Sequence, residues 1–219
     1  MDEAKSGSEG SLAHDMRVSL RAYWAASTSY QRFVYRIGFL LLLSGIFHAG
    51  VFLVDRGPWE GPLSWRKPIS FSFSFAFIAW SLAWVLSFLP KRPLAGWLVM
   101  GTFGVSAVIE TALITMQTWR GVPSHFNLAT DFDVLVFSMM GVMIAFVVLS
   151  IMTITVWSFA SLKAPPSFAW AIKSGLVLML VGQGLGGLLI KEGFQQVETG
   201  AVSSPLIFGA HGVMNVPHA

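Results

Sequence analysis

Five runs of about twenty apolar residues, separated by short polar segments, constrain this chain more than any other feature. They cover approximately residues 37–54, 69–89, 94–117, 134–159 and 168–190. A helix needs about 20 apolar residues to cross the hydrocarbon of a bilayer. Only 11% of the residues are charged, where a soluble domain has about a quarter. The pattern predicts an all-α, polytopic transmembrane helix bundle of about five spans, whose main partner is the lipid bilayer.

One segment of the second run imitates a different structure. Residues 70–75 alternate Ser and Phe, which is the pattern of a half-buried β-strand. An open strand cannot satisfy its backbone hydrogen bonds in lipid. We therefore predict a helix here, with the small serines on its packing side.

The first 36 residues differ from the rest and are predicted to form a cytoplasmic tail with an interfacial amphipathic segment. Residues 1–15 are polar and typical of a disordered tail. Residues 16–36 mix arginines with aromatic residues, which suits a helix on an anionic membrane surface, although a solvated linker stays open. No apolar core of a cleavable signal peptide occurs before residue 33, so the first span is expected to act as the targeting signal. Residues 37–219 form the predicted transmembrane helical domain.

The basic residues predict the orientation. If the N-terminus is cytoplasmic, nine Lys and Arg residues fall on the inner side and five on the outer side, as the positive-inside rule requires. The net charge is +3, but these residues are scattered at span ends rather than clustered. We therefore expect a multi-pass protein of the cell inner membrane and no nucleic-acid partner.

A layer of polar residues is predicted below the outer surface. His48, Glu110 and Gln183 each lie six or seven residues before the outer end of a span, roughly 9–11 Å deep at 1.5 Å per residue. Glu110 is the only acidic residue within the predicted spans. An ionised carboxylate there is costly, so it is either neutral or paired. A ligand, metal or proton site and a buried contact that fixes helix packing both remain open.

Two outer loops lie above this layer, at residues 57–68 and 119–127. Both contain Pro and Gly, which restrict them, and both carry groups able to bind a ligand. We expect the loop residues to converge over the polar layer and to form one ligand-binding set with it. The full predicted set is His48, Arg66, Lys67, Glu110, Arg120, His125, Asn127 and Gln183.

Histidines are concentrated on the predicted outer side. The candidate metal ligands are His48, Glu110, His125, His211 and His218, and the cofactors considered are haem b and a divalent metal ion. No tight spacing such as His-x-x-His occurs, and His211 and His218 are too far apart to act as a local pair. The absence of cysteine excludes thiolate sites.

The outer loop at residues 119–127 and the terminal segment at residues 211–219 carry a family resemblance. The loop containing Arg120, Gly121, Ser124, His125, Phe126 and Asn127, with Trp65, Lys67 and Pro68, resembles that of uncharacterised bacterial polytopic inner-membrane proteins with an RGxPSHFN motif. The resemblance implies the fold and no activity. It also implies a further helix after the last histidine. Residues 207–219 accordingly look like the entry to a sixth span, either lying at the outer surface or truncated.

Three functions are compatible with these features. The first is a polar outer site that binds a metal, haem or quinone-like ligand. The second is a structural or accessory subunit that packs against other membrane subunits. The third is a proton-coupled transporter that uses Glu110, although the inner half of the spans has almost no polar residues. The sequence does not decide whether the protein is an enzyme.

Overall fold

The protein is an all-α bundle. The computed structural model describes residues 2–59 and 63–198, and within them only helices and their connections occur. The helices are α1 (Asp2–Ala26), α2 (Ser29–Asp55), α3 (Arg66–Val85), α4 (Pro93–Trp119), α5 (Asp131–Ser161) and α6 (Pro166–Glu198). A short 3₁₀ helix at Leu86–Phe88 extends α3.

Five of these helices are long and apolar enough to cross a membrane, which makes the chain a multi-pass membrane protein. They are α2, α3 with its 3₁₀ extension, α4, α5 and α6 as far as Leu188. Each contains one of the five apolar runs, so the predicted bundle and the predicted number of spans are confirmed within the described part of the chain. Residues 207–219 lie outside the described residues.

The N-terminal region departs from the sequence prediction. Residues 2–26 form helix α1, where a disordered tail was expected over residues 1–15. The break between α1 and the first span lies near Thr28 rather than at residue 36. Thr28 and Gln31 form a capping box, in which each side chain bonds the other residue's backbone N–H. The cap starts α2 eight residues before its apolar run and brings Tyr30 and Val34 into the core.

The tightest packing joins α2 to α3. A Cβ atom placed on Gly38 would lie 2.4 Å from Trp80 Nε1, so only glycine permits this approach. The α3 helix confirms that the Ser–Phe segment is not a strand. Its serines do not all face the packing side, however, because Ser72 is buried whereas Ser70 and Ser74 are exposed. The helical period of 3.6 residues cannot place three alternating residues on one face.

The remaining membrane helices pack one after another, starting from this pair. Helix α4 packs on α2 and α3, α5 packs on α4, and α6 packs on α5. Half of the apolar stretch of α3 is buried, against 11% in α6. The bundle therefore has a dense side around α3 and a loosely covered side at α6.

The two ends of the bundle carry different connections. We call the end that holds the α2–α3 loop (residues 56–65) and the α4–α5 loop (residues 120–130) the loop end. The opposite end holds α1, whose Tyr23 hydroxyl bonds the hydroxyls of Tyr35 and Ser87 at 2.7 and 3.0 Å.

Candidate functional site

A cavity of about 800 Å³ lies near the loop end between α4, α5 and α6. Most of its lining is apolar and comes from α5, including Leu149 and Met152, which are also exposed on the bundle surface. The cavity is therefore accessible from the side of the bundle that faces lipid. Its polar lining consists of Glu110, His125, Ser138 and Gln183. Volumes of 300–1,000 Å³ with a few polar groups in an apolar wall are typical of small-molecule sites.

Glu110 and Gln183 line this cavity from two different helices. Glu110 is on α4 and is 3% exposed, and its Oε2 atom has no hydrogen-bond partner in the described part of the chain. Gln183 is on α6, next to Gly186 and Gly187, which line the same space. The two residues have nearly the same predicted depth in their spans, and in the structure they line one cavity.

His125 enters the cavity from the α4–α5 loop. Its ring packs at 5.8 Å from that of Phe71 on α3, and its Nδ1 atom lies 2.9 Å from the Ser124 hydroxyl. Burial and the nearby positive charge of Lys67 lower the pKa of His125 from 6.5 to about 3. The imidazole is consequently neutral at physiological pH and offers one donor and one acceptor nitrogen.

Lys67 lies behind this histidine in the first turn of α3. Its side chain is 6% exposed, and Nζ has no hydrogen-bond partner among the described residues. Ser64, in the same turn, also has a buried hydroxyl without a partner. The sequence had pointed to Lys67 but not to Ser64, because a single serine in a loop carries no spacing signal.

His48 does not join the cavity. Its Nδ1–H donates to the Ser44 carbonyl at 2.7 Å, and its Nε2 accepts from Trp119 Nε1 at 3.2 Å. Trp65 stacks on the ring at 6.1 Å. Both ring nitrogens are occupied by the protein, so His48 ties α2 to the end of α4.

Arg120 is held in a hydrogen-bonded cluster at the start of α5. It bonds Gln117 and forms an ion pair with Asp133 at 2.8 Å. Gln117 Nε2 and the Thr130 hydroxyl donate to the same carboxylate at 3.0 and 2.7 Å. We call Gln117, Arg120, Thr130 and Asp133 the paired cluster. Asp133 was not among the predicted site residues, although Thr130, three residues before it, has the side chain typical of a helix N-cap.

Two further predicted residues lie in or next to the loops. Asn127 is buried and its Oδ1 accepts from the Ala129 N–H at 3.2 Å, as in an Asx turn. Arg66 begins α3 beside Lys67. Gly121 ends α4 with a φ of 68°, a conformation that favours glycine. The loop that carries His125 is thus fixed by its own backbone.

The candidate metal ligands do not converge on one point in the described residues. Glu110 and His125 line the cavity, whereas His48 is bonded elsewhere. No group of three His, Asp or Glu side chains able to hold a metal occurs in the part of the chain that the structure describes. His211 and His218 lie outside the described residues. Within the described ranges, His125 is the histidine that lines the cavity.

Comparison with known proteins adds no family to this picture. No protein-family model, curated protein or solved structure matches the chain.

Proposed function

We propose that this membrane protein binds a quinone-like amphipathic molecule in the cavity between α4, α5 and α6. The observation that carries the proposal is a cavity open toward lipid whose apolar wall ends at Glu110, His125 and Gln183. An apolar ring and tail fit the α5 side of the cavity. The carbonyl oxygens of such a head group accept hydrogen bonds from the imidazole and the Gln183 amide.

The unpartnered carboxyl oxygen of Glu110 supports the binding of a ligand in this cavity. A buried polar atom without a partner costs about 1–3 kcal/mol, and a ligand that bonds it recovers part of that free energy. Glu110 Oε2 is in this condition. A head group with a hydroxyl or carbonyl oxygen satisfies the carboxyl in its ionised or its protonated form, respectively.

Haem b and a divalent metal ion fit the cavity less well than a quinone-like molecule. A divalent metal such as zinc is held by three or more protein ligands in most sites, and the described cavity lining offers Glu110 and His125. Haem would use His125 as its axial ligand. The absorption spectrum of the purified protein tests this alternative, since bound haem gives an intense Soret band.

The proposal is tested with decylubiquinone, a short neutral quinone, and the full-length protein in detergent. Trp65 and Trp119 lie near the loop end, and their quenching reports binding. Glu110→Leu removes a polar contact, so we expect about tenfold weaker binding. Failure of the wild-type protein to bind the quinone at concentrations below its solubility limit overturns the proposal.

Two glycine variants distinguish blocking of the cavity from a general effect of substitution in α6. Gly186 lines the cavity and Gly184 does not, and at both positions a Cβ atom meets open space. Gly186→Leu fills the cavity and weakens quinone binding at least about tenfold. Gly184→Leu, the matched control, changes the affinity by less than about twofold. Equal effects of both variants would contradict a ligand in this cavity.

We further propose that the loop end faces away from the cytoplasm, in the inner membrane of a bacterium. The excess of basic residues at the opposite end supports this orientation. The chain has no cysteine, so single cysteines can be labelled in intact cells with a membrane-impermeant maleimide. Leu128→Cys in the exposed α4–α5 loop should react and Ser8→Cys should not. The reverse labelling pattern excludes the proposed orientation.

A further inference from the structure

Two buried polar groups lie where α3 begins, Ser64 just before the helix and Lys67 in its first turn. Ser64 is 1% exposed and Lys67 is 6% exposed, and neither Ser64 Oγ nor Lys67 Nζ has a hydrogen-bond partner among the described residues. The Lys67 backbone N–H donates to the Ser64 carbonyl at 3.3 Å, so both side chains start from one turn. A buried ammonium group without a counter-ion is strongly unfavourable. A negatively charged group at this position would stabilise it.

The surroundings place these groups between α3 and the α4–α5 loop. Phe71 follows Lys67 by four residues and therefore lies on the same face of α3, about 6 Å further along the helix. Phe71 contacts the His125 ring, and both line the cavity, whereas Lys67 and Ser64 do not. The lysine thus lies beyond the cavity wall, toward the loop end.

The carboxylates that the structure describes at this end of the bundle do not bond Lys67. Asp55 accepts from Trp65 Nε1 at 2.6 Å, and Asp133 belongs to the paired cluster. Glu110 Oε2 and Lys67 Nζ are each without a partner, so they do not bond one another. The positive end of the α3 dipole adds to the charge of Lys67, and the N-cap residue Trp65 makes no side-chain cap bond. None of the described carboxylates bonds Lys67.

We propose that the start of α3 binds the oxyanion of a phosphate group, with Lys67 Nζ in the first turn and Ser64 Oγ just before the helix as its donors. Ammonium and hydroxyl groups at a helix N-terminus are common phosphate ligands. The site lies at the end of a membrane span, at the level where phospholipid head groups are found. The phosphate comes from a phospholipid or from solution, and the two sources require different probes.

Thermal melting of the full-length protein in phosphate-free detergent tests this site. The probes are inorganic phosphate, dihexanoyl phosphatidylglycerol and, as a control without phosphate, dihexanoyl glycerol. At a hundredfold excess over its dissociation constant, a bound probe should raise Tm by roughly 5–10 °C. A rise with the lipid alone assigns the site to a head group, and a rise with phosphate alone assigns it to free phosphate. No rise with either phosphate probe overturns the proposal.

Substitution of Lys67 and of a control lysine tests whether the phosphate site lies at the start of α3. Lys67→Gln should abolish the rise in Tm, whereas Lys191→Gln, which replaces an exposed lysine, should retain it. If Lys67→Gln fails to fold, Ser64→Ala serves instead and should weaken phosphate binding several-fold. A rise of equal size in Lys67→Gln excludes this site. The Lys67→Gln protein should still bind the neutral quinone, so failure of the phosphate site and failure of the cavity proposal are distinguishable.

Discussion

The paired cluster and the groups around the cavity lie at the same end of the bundle but differ in their partners. Asp133 is buried and receives hydrogen bonds from Gln117, Arg120 and Thr130. Glu110 is equally buried, and its Oε2 receives none. Burial alone therefore does not separate a structural carboxylate from a candidate ligand-binding carboxylate. The distinction lies in whether the protein itself satisfies the group.

Two histidines show the same difference. Both ring nitrogens of His48 are bonded within the bundle, by the Ser44 carbonyl and Trp119. His125 instead lines the cavity and is bonded through Nδ1 to the neighbouring Ser124. From the sequence both residues were equivalent candidates. Their neighbours indicate that His48 stabilises helix packing, whereas His125 lines the cavity.

The largest expected effect comes from breaking the paired cluster. Asp133→Ala removes the carboxylate that accepts hydrogen bonds from Arg120, Gln117 and the Thr130 hydroxyl. Loss of one member of a buried ion pair costs about 3–5 kcal/mol, and because Arg120 is 37% exposed we expect the lower value. The Tm in detergent should fall by roughly 6–12 °C.

The control for this variant is on the same helix. Asp131 also lies in the first turn of α5 but is exposed, so Asp131→Ala should lower Tm by no more than about 2 °C through the helix dipole. Similar losses in both variants would show that the paired cluster contributes nothing specific.

A smaller effect is expected from pH. Because the folded-state pKa of His125 lies near 3 and the unfolded value near 6.5, its contribution to stability is complete above pH 6.5. It is lost as the pH falls from 6.5 toward 3, since the unfolded chain binds the proton more readily, by about 1.4 kcal/mol per pH unit. Between pH 7.5 and 5.5 the wild-type Tm should fall about 3–5 °C more than that of His125→Asn. Equal falls in Tm for the wild type and His125→Asn would mean that His125 keeps an ordinary pKa in the folded protein.

The smallest effect is expected at the unpartnered carboxyl. Glu110→Gln keeps the side-chain volume and removes a group whose Oε2 atom makes no hydrogen bond, so Tm should change by less than about 2 °C. The counterpart Gln117→Ala removes a donor from Asp133 and should lower Tm by about 3–6 °C. A larger loss for Glu110→Gln than for Gln117→Ala would reverse the comparison between the two groups.

Much of the fold was predictable because lipid imposes a length and a composition on each span. The five apolar runs gave the five helices, and Thr28 with Gln31 carried a start signal for α2 that the hydrophobic runs obscured. The site was predictable only in part. Depth placed Glu110 and Gln183 at one level, and they line one cavity. Depth also grouped His48 with them, but depth does not specify which way a side chain points around its helix.

The apolar runs alone predict a polytopic helix bundle with polar groups near one end. Backbone hydrogen bonds in lipid must be satisfied within each helix, so apolar length is enough to define a span. Which polar groups are paired and which line the cavity depends on tertiary packing. The residues involved come from different helices: Gln117 donates to Asp133, and Glu110 and Gln183 line one cavity. Rotation of each helix against its neighbours fixes these contacts, and no local pattern in the chain encodes it.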